Sequence, residues 1–322
     1  MESYKVSFKK LLVDKLPSFF VDFLKRILRK YFKNITKVSE LVSPYLPQVT
    51  CIDVGASYYP HVKWYLFLNS ENTQWIAVEP NSENLFYVDD WKNPAKIQTV
   101  ETGLSQAGGP QTLYVTNIDS GSSLLEPVID SGMEHRINES LNDYLFPFEK
   151  VLIDTLTLAD VMKLAPDDNP IIVKLDTQGT ELSILRGAEK YFSASRVVGI
   201  EMESTLLAQP LMKGSDKFWE ACEYLEEQGF ELIDINVIRA PSKTKAKAKT
   251  YLNECDAVFA LRRDIAALLP TSHRIALLSF YLSYDLFEEA ISIFEDDAEI
   301  QSFFALNGGS PEAILATMKR LT

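Results

Sequence analysis

Short apolar runs alternate with amphipathic segments from residue 50 onward, and this alternation gives the first indication of the fold. Four of the runs are nearly continuous in apolar residues, as expected for parallel strands covered on both faces of a sheet. The predicted strands are Thr50–Val54, Trp75–Glu79, Ile97–Gly103, Gln111–Asn117, Val151–Thr157, Ile171–Asp176, Val197–Glu203, Glu231–Asn236 and Ala257–Arg262. The predicted helices cover 60–69, 82–90, 158–164, 179–192 and 214–228. Such alternation predicts an α/β protein with a doubly wound, mostly parallel sheet.

The N-terminal segment has a helical pattern of its own. Residues 9–34 place apolar side chains at helical spacing and carry many basic residues, which predicts an amphipathic helix. Two interpretations are open: its apolar face packs on the α/β domain, or residues 18–34 lie on an anionic membrane surface. We favour packing on the domain, because most surface helices are amphipathic.

The C-terminal segment again shows apolar residues at helical spacing, after the last predicted strand. These helical segments are Ile275–Leu282, Leu286–Phe294 and Ile314–Met318. We therefore predict three parts of the chain: an N-terminal amphipathic helical extension over 1–47, an α/β domain over 48–263 and a C-terminal helical extension over 264–322.

Composition and charge narrow the class of protein. The chain has 322 residues, of which 46% are hydrophobic, enough apolar residues to bury a large core. Its net charge is −13, and the charge is uneven, because residues 1–40 carry +6 and the remainder −19. An acidic chain repels polyanions, so nucleic acid is a poor candidate partner.

Neither the cysteines nor the histidines indicate a metal site. The three cysteines form no C-x-x-C pair, which argues against a disulfide framework and against zinc, and the three histidines are scattered. The chain also shows no signal-peptide pattern and no apolar stretch of the ~20 residues that a membrane span needs. We expect a soluble cytoplasmic protein, with membrane association through residues 18–34 as the alternative.

The first motif with chemical content is CIDVGAS, residues 51–57. A buried strand delivers Asp53 and then Gly55, which lets a ligand approach the backbone at the start of a helix. The second and third glycines of the dinucleotide fingerprint are missing, because residues 57–60 read SYYP. This departure disfavours a nicotinamide cofactor.

Two further strand ends carry carboxylates. Glu79 ends the second predicted strand, where an acid can accept hydrogen bonds from both hydroxyls of a ribose. Asp176 ends the sixth, before a turn with Gly179 and a helix with Glu181 in its first turn. The carboxyl ends of the strands border the ligand crevice of an open α/β sheet. Asp176 is therefore placed to meet both a cofactor and an acceptor.

These motifs resemble those of the FkbM-like methyltransferases. The hallmark of that family is a strand ending Lys-Ile-Asp-Val-Glu-Gly, followed by a helix of the type Ala-Glu-Leu-x-x-Leu-x-Gly-Ala, and residues 174–189 read KLDTQGTELSILRGAE. Matches in the same order are CIDVGAS, AVEPN at 77–81, TGLS at 102–105, SGSSLLEP at 120–127 and TLTLADVM at 155–162. The resemblance covers roughly residues 48–262, and it departs at Gln178, where the family has an acid, and at 57–60.

The resemblance implies a Rossmann-like class I methyltransferase sheet of seven core strands with S-adenosylmethionine as cofactor. It places Asp53, Gly55 and Ala56 around the methionine moiety, Glu79 on the ribose and Gly103 to Ser105 near the adenine. The full set of expected cofactor-binding residues is Asp53, Gly55, Ala56, Ser57, Glu79, Pro80, Asn81, Gly103, Leu104, Ser105 and Asp176. The SGSS segment is interpreted either as a loop that covers the ligand or as a flexible connector.

Methyl transfer to oxygen needs an acceptor held in line and a group that takes its proton. The candidate bases are Asp176, which we place first, Glu201 and Glu203 on the next strand, and His135. The leading hypothesis is O-methylation of a sugar, polysaccharide or secondary metabolite, an acceptor class that comes from the resemblance alone. The alternatives are a nicotinamide-dependent oxidoreductase, which the missing glycines disfavour, and a non-catalytic methyltransferase-like module that binds a partner through its helical ends.

Overall fold

The computed structural model describes residues 37–57, 62–85, 94–128, 139–208, 210–240 and 249–322. The helix predicted over 18–34 and the candidate base His135 lie outside these residues, as does most of the SYYP turn. No helix among the described residues is long and apolar enough to cross a membrane.

Within the described residues, ten strands form two sheets. Their bounds are β1 Val49–Val54, β2 Thr73–Val78, β3 Lys96–Val100, β4 Gly103–Leu104, β5 Gly109–Thr116, β6 Phe148–Leu156, β7 Ile171–Leu175, β8 Val197–Thr205, β9 Phe230–Arg239 and β10 Leu252–Leu261. The main sheet has the order β3-β2-β1-β7-β8-β10-β9, and β10 runs in the direction opposite to the other six strands. This arrangement confirms the Rossmann-like class I methyltransferase sheet, with strand tips of β1, β2 and β7 side by side.

The second sheet has the order β4-β6-β5 and corrects one predicted element. The run Ile97–Gly103 is not one strand, because it divides into β3 of the main sheet and β4 of the second sheet. The amide of Thr102 bonds the carbonyl of Val100, which turns the chain, and Gly103 then pairs with Thr155 of β6. Apolar periodicity continues through such a turn, so it does not reveal the change of sheet.

Eleven helices are described besides short 3-10 turns and the end of a helix at residues 37–42. Their bounds are α1 Tyr65–Leu68, α2 Glu139–Leu145, α3 Leu158–Met162, α4 Glu181–Arg186, α5 Glu189–Ser193, α6 Phe218–Glu227, α7 Arg263–Ala266, α8 Thr271–Ser283, α9 Phe287–Asp296, α10 Ala298–Leu306 and α11 Pro311–Met318. The single helix predicted over 179–192 was wrong, because it breaks into α4 and α5 at Gly187, which lies against the carbonyl of Gln106. The helices α2, α7 and α10 were not predicted.

The C-terminal helices share one core with the main sheet. Buried side chains of α8 to α11 and of residues 38–46 belong to the same apolar cluster as the strands. The ring of Phe280 on α8 lies so close to Gly199 of β8 that a Cβ there would come within 2.7 Å of it. Because α8 lies directly on β8, its end reaches the strand that carries Glu201 and Glu203.

Candidate active site

A cavity of about 670 Å³ opens at the carboxyl ends of β1, β2 and β7. Its volume is typical of a small-molecule site. One wall comes from the second sheet, where Leu113, Val115, Val151 and Ile153 present apolar side chains. Of the predicted cofactor-binding residues, it is lined by Gly55, Ser57, Glu79, Pro80, Asn81, Gly103, Leu104 and Asp176. The structure thus brings together three sequence motifs that are far apart in the chain.

Gly55 occupies the point where β1 and β7 come closest. Its φ is +76°, and a Cβ at this position would lie 1.9 Å from the carbonyl oxygen of Asp176. The amide of Gly55 bonds the carbonyl of Val78 at 3.0 Å, and that of Asp176 bonds Val54 at 3.0 Å. Only glycine therefore allows the strand tips to meet here and to expose backbone to a ligand.

Glu79 directly follows β2 and is almost fully buried in the cavity wall. Its carboxylate accepts a 3.0 Å hydrogen bond from the amide of Asn81. Burial raises the pKa of Glu79, and the hydrogen bonds from Asn81 and Asn84 oppose that rise. A buried carboxylate at a strand tip is well placed to accept hydrogen bonds from ligand hydroxyls.

Lys174 forms the charged floor of the cavity and was not predicted as a site residue. Its Nζ lies 3.6 Å from Asp53 Oδ1 and 3.3 Å from Asp176 Oδ2. Burial lowers the pKa of Lys174, but the charges of Asp176, Asp53 and Glu201 outweigh it and hold that pKa above its ordinary value. Lys174 is therefore a cation. Asp53 does not line the cavity, but its carboxylate forms an ion pair with the ammonium group of Lys174.

The turn after Asp176 is fixed by the buried carboxylate of Glu181. Oε1 accepts the amide of Thr177 at 2.7 Å, and Oε2 accepts that of Gly179 at 2.9 Å. Burial raises the pKa of Glu181 to about 7, although these amide donors oppose the rise. Gly179 has a φ of +108° and packs against Ser215, so the backbone of the turn is held on both sides.

Gln178 stands where the family motif usually has an acid, and its side-chain amide lies between two carboxylates. Its Nε2 donates to Glu203 Oε2 at 2.6 Å and lies 3.4 Å from Asp176 Oδ1. An acid at this position would add a third carboxylate beside two others, whereas the amide supplies the donor that they need. The amide of Gln178 therefore suits a site in which two carboxylates already lie close together.

A second, smaller cavity of about 190 Å³ lies on the other side of Gln178. Its polar wall contains Glu203 and Glu254, and its apolar wall contains Leu211 and Met212. Burial and the neighbouring Asp176 raise the pKa of both glutamates, that of Glu254 to about 7. The carboxylates of this cavity therefore carry protons at a higher pH than ordinary glutamates do.

Glu254→Gln is expected to change how stability depends on pH. The folded protein keeps a proton on Glu254 between pH 4.5 and about 7, where the unfolded chain has lost it, so this group lowers the unfolding free energy as pH rises through that window. The variant should therefore gain stability relative to the unmodified protein across that window, in urea unfolding followed at several pH values. Glu227→Gln, on an exposed position of α6, is the control, and a difference that does not vary with pH would contradict the assignment.

Three of the predicted residues that the structure describes, Ala56, Ser105 and Glu201, line neither cavity. Glu201 is 5% exposed and accepts a hydrogen bond from Tyr284 Oη at 2.5 Å, so it does not share the environment of Glu203. Ser105 is buried and its Oγ bonds Thr155 Oγ1 at 2.7 Å, while Ala56 is buried behind Gly55. Strand alternation placed Glu201 and Glu203 on one face, but it did not reveal that α8 covers the first of them.

Several lining residues were missed, and a signal existed for some. Lys174 precedes Asp176 by two positions on a strand, so alternation alone puts it on the same face. The SGSS segment was considered as a covering loop, and its Ser120, Ser122 and Ser123 do line the larger cavity. Asn84, Asp119, Thr177 and Thr180 also line it, and no sequence pattern singled them out.

The residues of the larger cavity fit S-adenosylmethionine. The absence of a side chain at Gly55 leaves space beside the backbone that a Cβ would fill. The hydroxyl of Ser57 is buried without a hydrogen-bond partner among the described residues, so it is available to a ligand. Glu79 offers a carboxylate for ribose hydroxyls, and the apolar wall of the second sheet suits a purine ring.

The fold and this cavity define a nucleoside-binding enzyme of the methyltransferase class. The family model described as the methyltransferase FkbM domain matches residues 53–232, more than half of the chain. The protein belongs to the FkbM methyltransferase family, and its cofactor is S-adenosylmethionine. The search of curated proteins found no match.

Solved methyltransferase structures show only distant similarity. One from Anabaena variabilis ATCC 29413 is 9% identical, with 73% of this chain and 85% of that chain covered and a TM-score of 0.34. The Burkholderia thailandensis 1,6-didemethyltoxoflavin-N1-methyltransferase is 13% identical, with 75% and 86% covered and a TM-score of 0.28. The StiE O-MT structure is 8% identical, with 88% of both chains covered and a TM-score of 0.35. At these values the similarities carry no argument about the acceptor.

Proposed function

We propose that the protein transfers the methyl group of S-adenosylmethionine to a hydroxyl oxygen of a sugar, a polysaccharide or a related secondary metabolite. The observation that supports this proposal is the position of Asp176 between the two cavities. Asp176 lines the larger cavity, and its Oδ1 faces Gln178, which lines the smaller one. A carboxylate at such a junction can reach an acceptor that approaches the cofactor site from the smaller cavity.

The larger cavity holds the cofactor in this proposal, with Glu79 on the ribose and the Gly55 turn at the methionine moiety. When bound, the cofactor supplies an electrophilic methyl group on a good leaving group. The protein then has to orient the acceptor oxygen and take its proton. Asp176 takes that proton, and Lys174 and Gln178 orient its two oxygens, at 3.3 and 3.4 Å.

The smaller cavity holds the acceptor in this proposal. Gln178, Glu203, Glu254 and Asn253 offer donors and acceptors for hydroxyl groups, and the apolar wall offers a surface for a ring face. Glu203 is the second candidate for the base. Glu201 has no place at the acceptor, since Tyr284 covers it, and the role of His135 stays a prediction.

Asp176→Asn is expected to lower methyl transfer by ~100-fold or more, because a positioned general base contributes about that much or more. The assay is transfer of label from methyl-labelled S-adenosylmethionine to a panel of hydroxylated glycans and metabolites, with the methylated atom assigned by NMR. Affinity for S-adenosylhomocysteine should change far less than the rate. The control is Asp154→Asn, at an exposed position of β6, which should transfer at the unmodified rate.

Three outcomes contradict parts of this proposal. Methylation at nitrogen or sulfur instead of oxygen would overturn the acceptor class. An Asp176→Asn variant with unchanged turnover would remove Asp176 from the base position. A protein that binds S-adenosylhomocysteine but methylates no acceptor would support the alternative, a non-catalytic module that binds a partner through its helical ends.

We also propose that the protein works in the reducing cytoplasm on a small-molecule or glycan acceptor. All three cysteines are free, and Cys51 and Cys255 are buried in strands, which is compatible with a reducing compartment. Fractionation of cells expressing the tagged full chain tests this proposal. Recovery in the membrane pellet, released by deleting residues 18–34, would support the alternative of membrane association.

A further inference from the structure

A chain of buried hydrogen bonds runs from the C-terminal helices to the strand that carries Glu201. Trp64 Nε1 donates to Tyr284 Oη at 2.8 Å, and Tyr284 Oη donates to Glu201 Oε2 at 2.5 Å. Tyr284 directly follows α8, while Trp64 precedes α1. All three side chains are buried, Tyr284 with 5% of its surface exposed. Each hydrogen bond therefore satisfies groups that burial would otherwise penalise.

Tyr284 keeps its proton in this environment. Burial raises the pKa of its hydroxyl well above the ordinary value, and the charge of Glu201 raises it further. The hydroxyl therefore acts as a permanent donor to the carboxylate and as an acceptor for the indole of Trp64. A phenylalanine at this position would keep the ring and remove only these two hydrogen bonds.

Glu201 is also next to the floor of the cofactor cavity. Its Cα pairs with that of Lys174 in the register of β7 and β8, so the two side chains point to the same face. The charge of Glu201 contributes to the raised pKa of Lys174. Lys174 Nζ in turn lies 3.6 Å from Asp53 and 3.3 Å from Asp176. The ammonium group of Lys174 is thus paired with two carboxylates, and it also lies in the electric field of a third, that of Glu201.

We propose that Tyr284 is a positioning residue for the cofactor site: by donating to Glu201, it leaves the ammonium of Lys174 to Asp53 and Asp176. Through this contact the C-terminal segment would influence the charge of the cavity wall around Lys174, where the methionine moiety of the cofactor would lie. This inference rests on the proposed function, because it assumes that the cavity holds S-adenosylmethionine. Tyr284 lies outside residues 53–232, the range that matches the family model.

Tyr284→Phe takes one donor from Glu201, so the carboxylate draws the ammonium of Lys174 toward itself and away from Asp53 and Asp176. The cavity wall then becomes more negative. S-adenosylmethionine carries a sulfonium charge that S-adenosylhomocysteine lacks, so the ratio of their two dissociation constants reports the charge at this point. Loosening of the fold weakens both ligands alike and leaves the ratio unchanged.

Calorimetric titration of the full-length protein with both ligands measures this ratio. In Tyr284→Phe we expect the preference for S-adenosylmethionine over S-adenosylhomocysteine to rise by about 3- to 10-fold, the size of one modest charge displacement. In Glu201→Gln the competitor for Lys174 is gone, so the preference should fall instead. Opposite shifts in the two variants are specific to a shared ammonium.

Tyr281→Phe is the matched control. Tyr281 is a buried tyrosine in the last turn of α8, three residues before Tyr284. Its hydroxyl lies 3.5 Å from Oε1 of Glu231, which is near the start of β9 and lines neither cavity. Its replacement should leave the ratio unchanged. An unchanged ratio in both Tyr284→Phe and Glu201→Gln would overturn the inference and leave Tyr284 a packing role.

The same titrations distinguish failure of the proposed cofactor site from failure of the role proposed for Tyr284. An unmodified protein that binds neither ligand refutes the cofactor site itself, whereas normal binding with an unchanged ratio in the variants refutes only the role of Tyr284. If Tyr284→Phe does not fold, Glu201→Gln still tests the inference: a lower preference is the expected result, and an unchanged preference overturns it.

Discussion

Gly55→Ala is expected to weaken cofactor binding by two orders of magnitude or more. A methyl group at this position would lie 1.9 Å from the carbonyl oxygen of Asp176, a distance that no rotation relieves because both atoms belong to the backbone framework. The tips of β1 and β7 must then separate, and the Asp176 turn moves with them. We expect the affinity for S-adenosylhomocysteine to fall by at least ~100-fold, a loss of about 2.7 kcal/mol, measured by calorimetry.

Gly308→Ala is the control that separates the effect of the steric clash at Gly55 from the effect of placing a side chain on a residue with positive φ. Gly308 has a φ of +89°, close to that of Gly55, but nothing lies within 4 Å of the position of its Cβ. This control should lose about 1–2 kcal/mol of unfolding free energy, the usual penalty for a side chain in the left-handed region, and should bind the ligand normally. Equal affinity in Gly55→Ala and Gly308→Ala would show that the strand tips do not form the cofactor site.

Glu79→Ala is the second change with a large expected effect. A hydrogen bond to a charged group contributes roughly 1.5–3 kcal/mol, and this carboxylate is assigned two ribose hydroxyls. We therefore expect S-adenosylhomocysteine to bind at least ~100-fold more weakly to the variant in the same calorimetric assay. The pKa of Glu79 is raised by burial, so a ligand that favours the ionised form should also release protons as it binds.

Glu83→Ala is the matched control for this change. Glu83 belongs to the same short turn, Ser82–Leu85, but its side chain is exposed and outside the lining of the cavity. Its removal should leave affinity unchanged, so a loss in both variants would indicate damage to the turn. Glu79→Gln adds a further test, because it keeps an oxygen for the amide of Asn81 while it removes the charge.

The strand tips of the site could be predicted because strand, turn and helix residues follow one another in the sequence. The motif at Cys51–Ser57 and the acids Glu79 and Asp176 end apolar runs, and parallel strands bring such ends to one edge of the sheet. Strand alternation would also have supplied Lys174. Local pattern and position along the chain were sufficient for these residues.

The rest of the site depends on contacts between distant segments, which no local pattern contains. The split of residues 97–103 between two sheets arises from a turn at Thr102 and from pairing with β6. The different environments of Glu201 and Glu203 arise because α8, some 80 residues later, covers one glutamate and leaves the other beside Gln178. Sequence periodicity gives the face of a strand but not what packs on that face.

The sequence indicates the cofactor more directly than it indicates the acceptor class. The cofactor cavity is lined by the backbone turns and strand tips that the family motifs encode. The smaller cavity takes only Gln178, Gly179 and Glu181 from these motifs, and its other walls come mainly from α2, the segment around Leu211 and β10. These segments belong to no motif, and fold alone does not determine what they bind. The screen of hydroxylated acceptors is therefore needed beside any cofactor measurement.

The most direct test of the central claim is calorimetric titration of the unmodified full-length protein with S-adenosylhomocysteine. The account predicts a single site of micromolar affinity, about −8 kcal/mol at 25 °C. Absence of binding at millimolar ligand would contradict the cofactor site built from Gly55, Glu79 and Lys174, and with it the proposed methyl transfer.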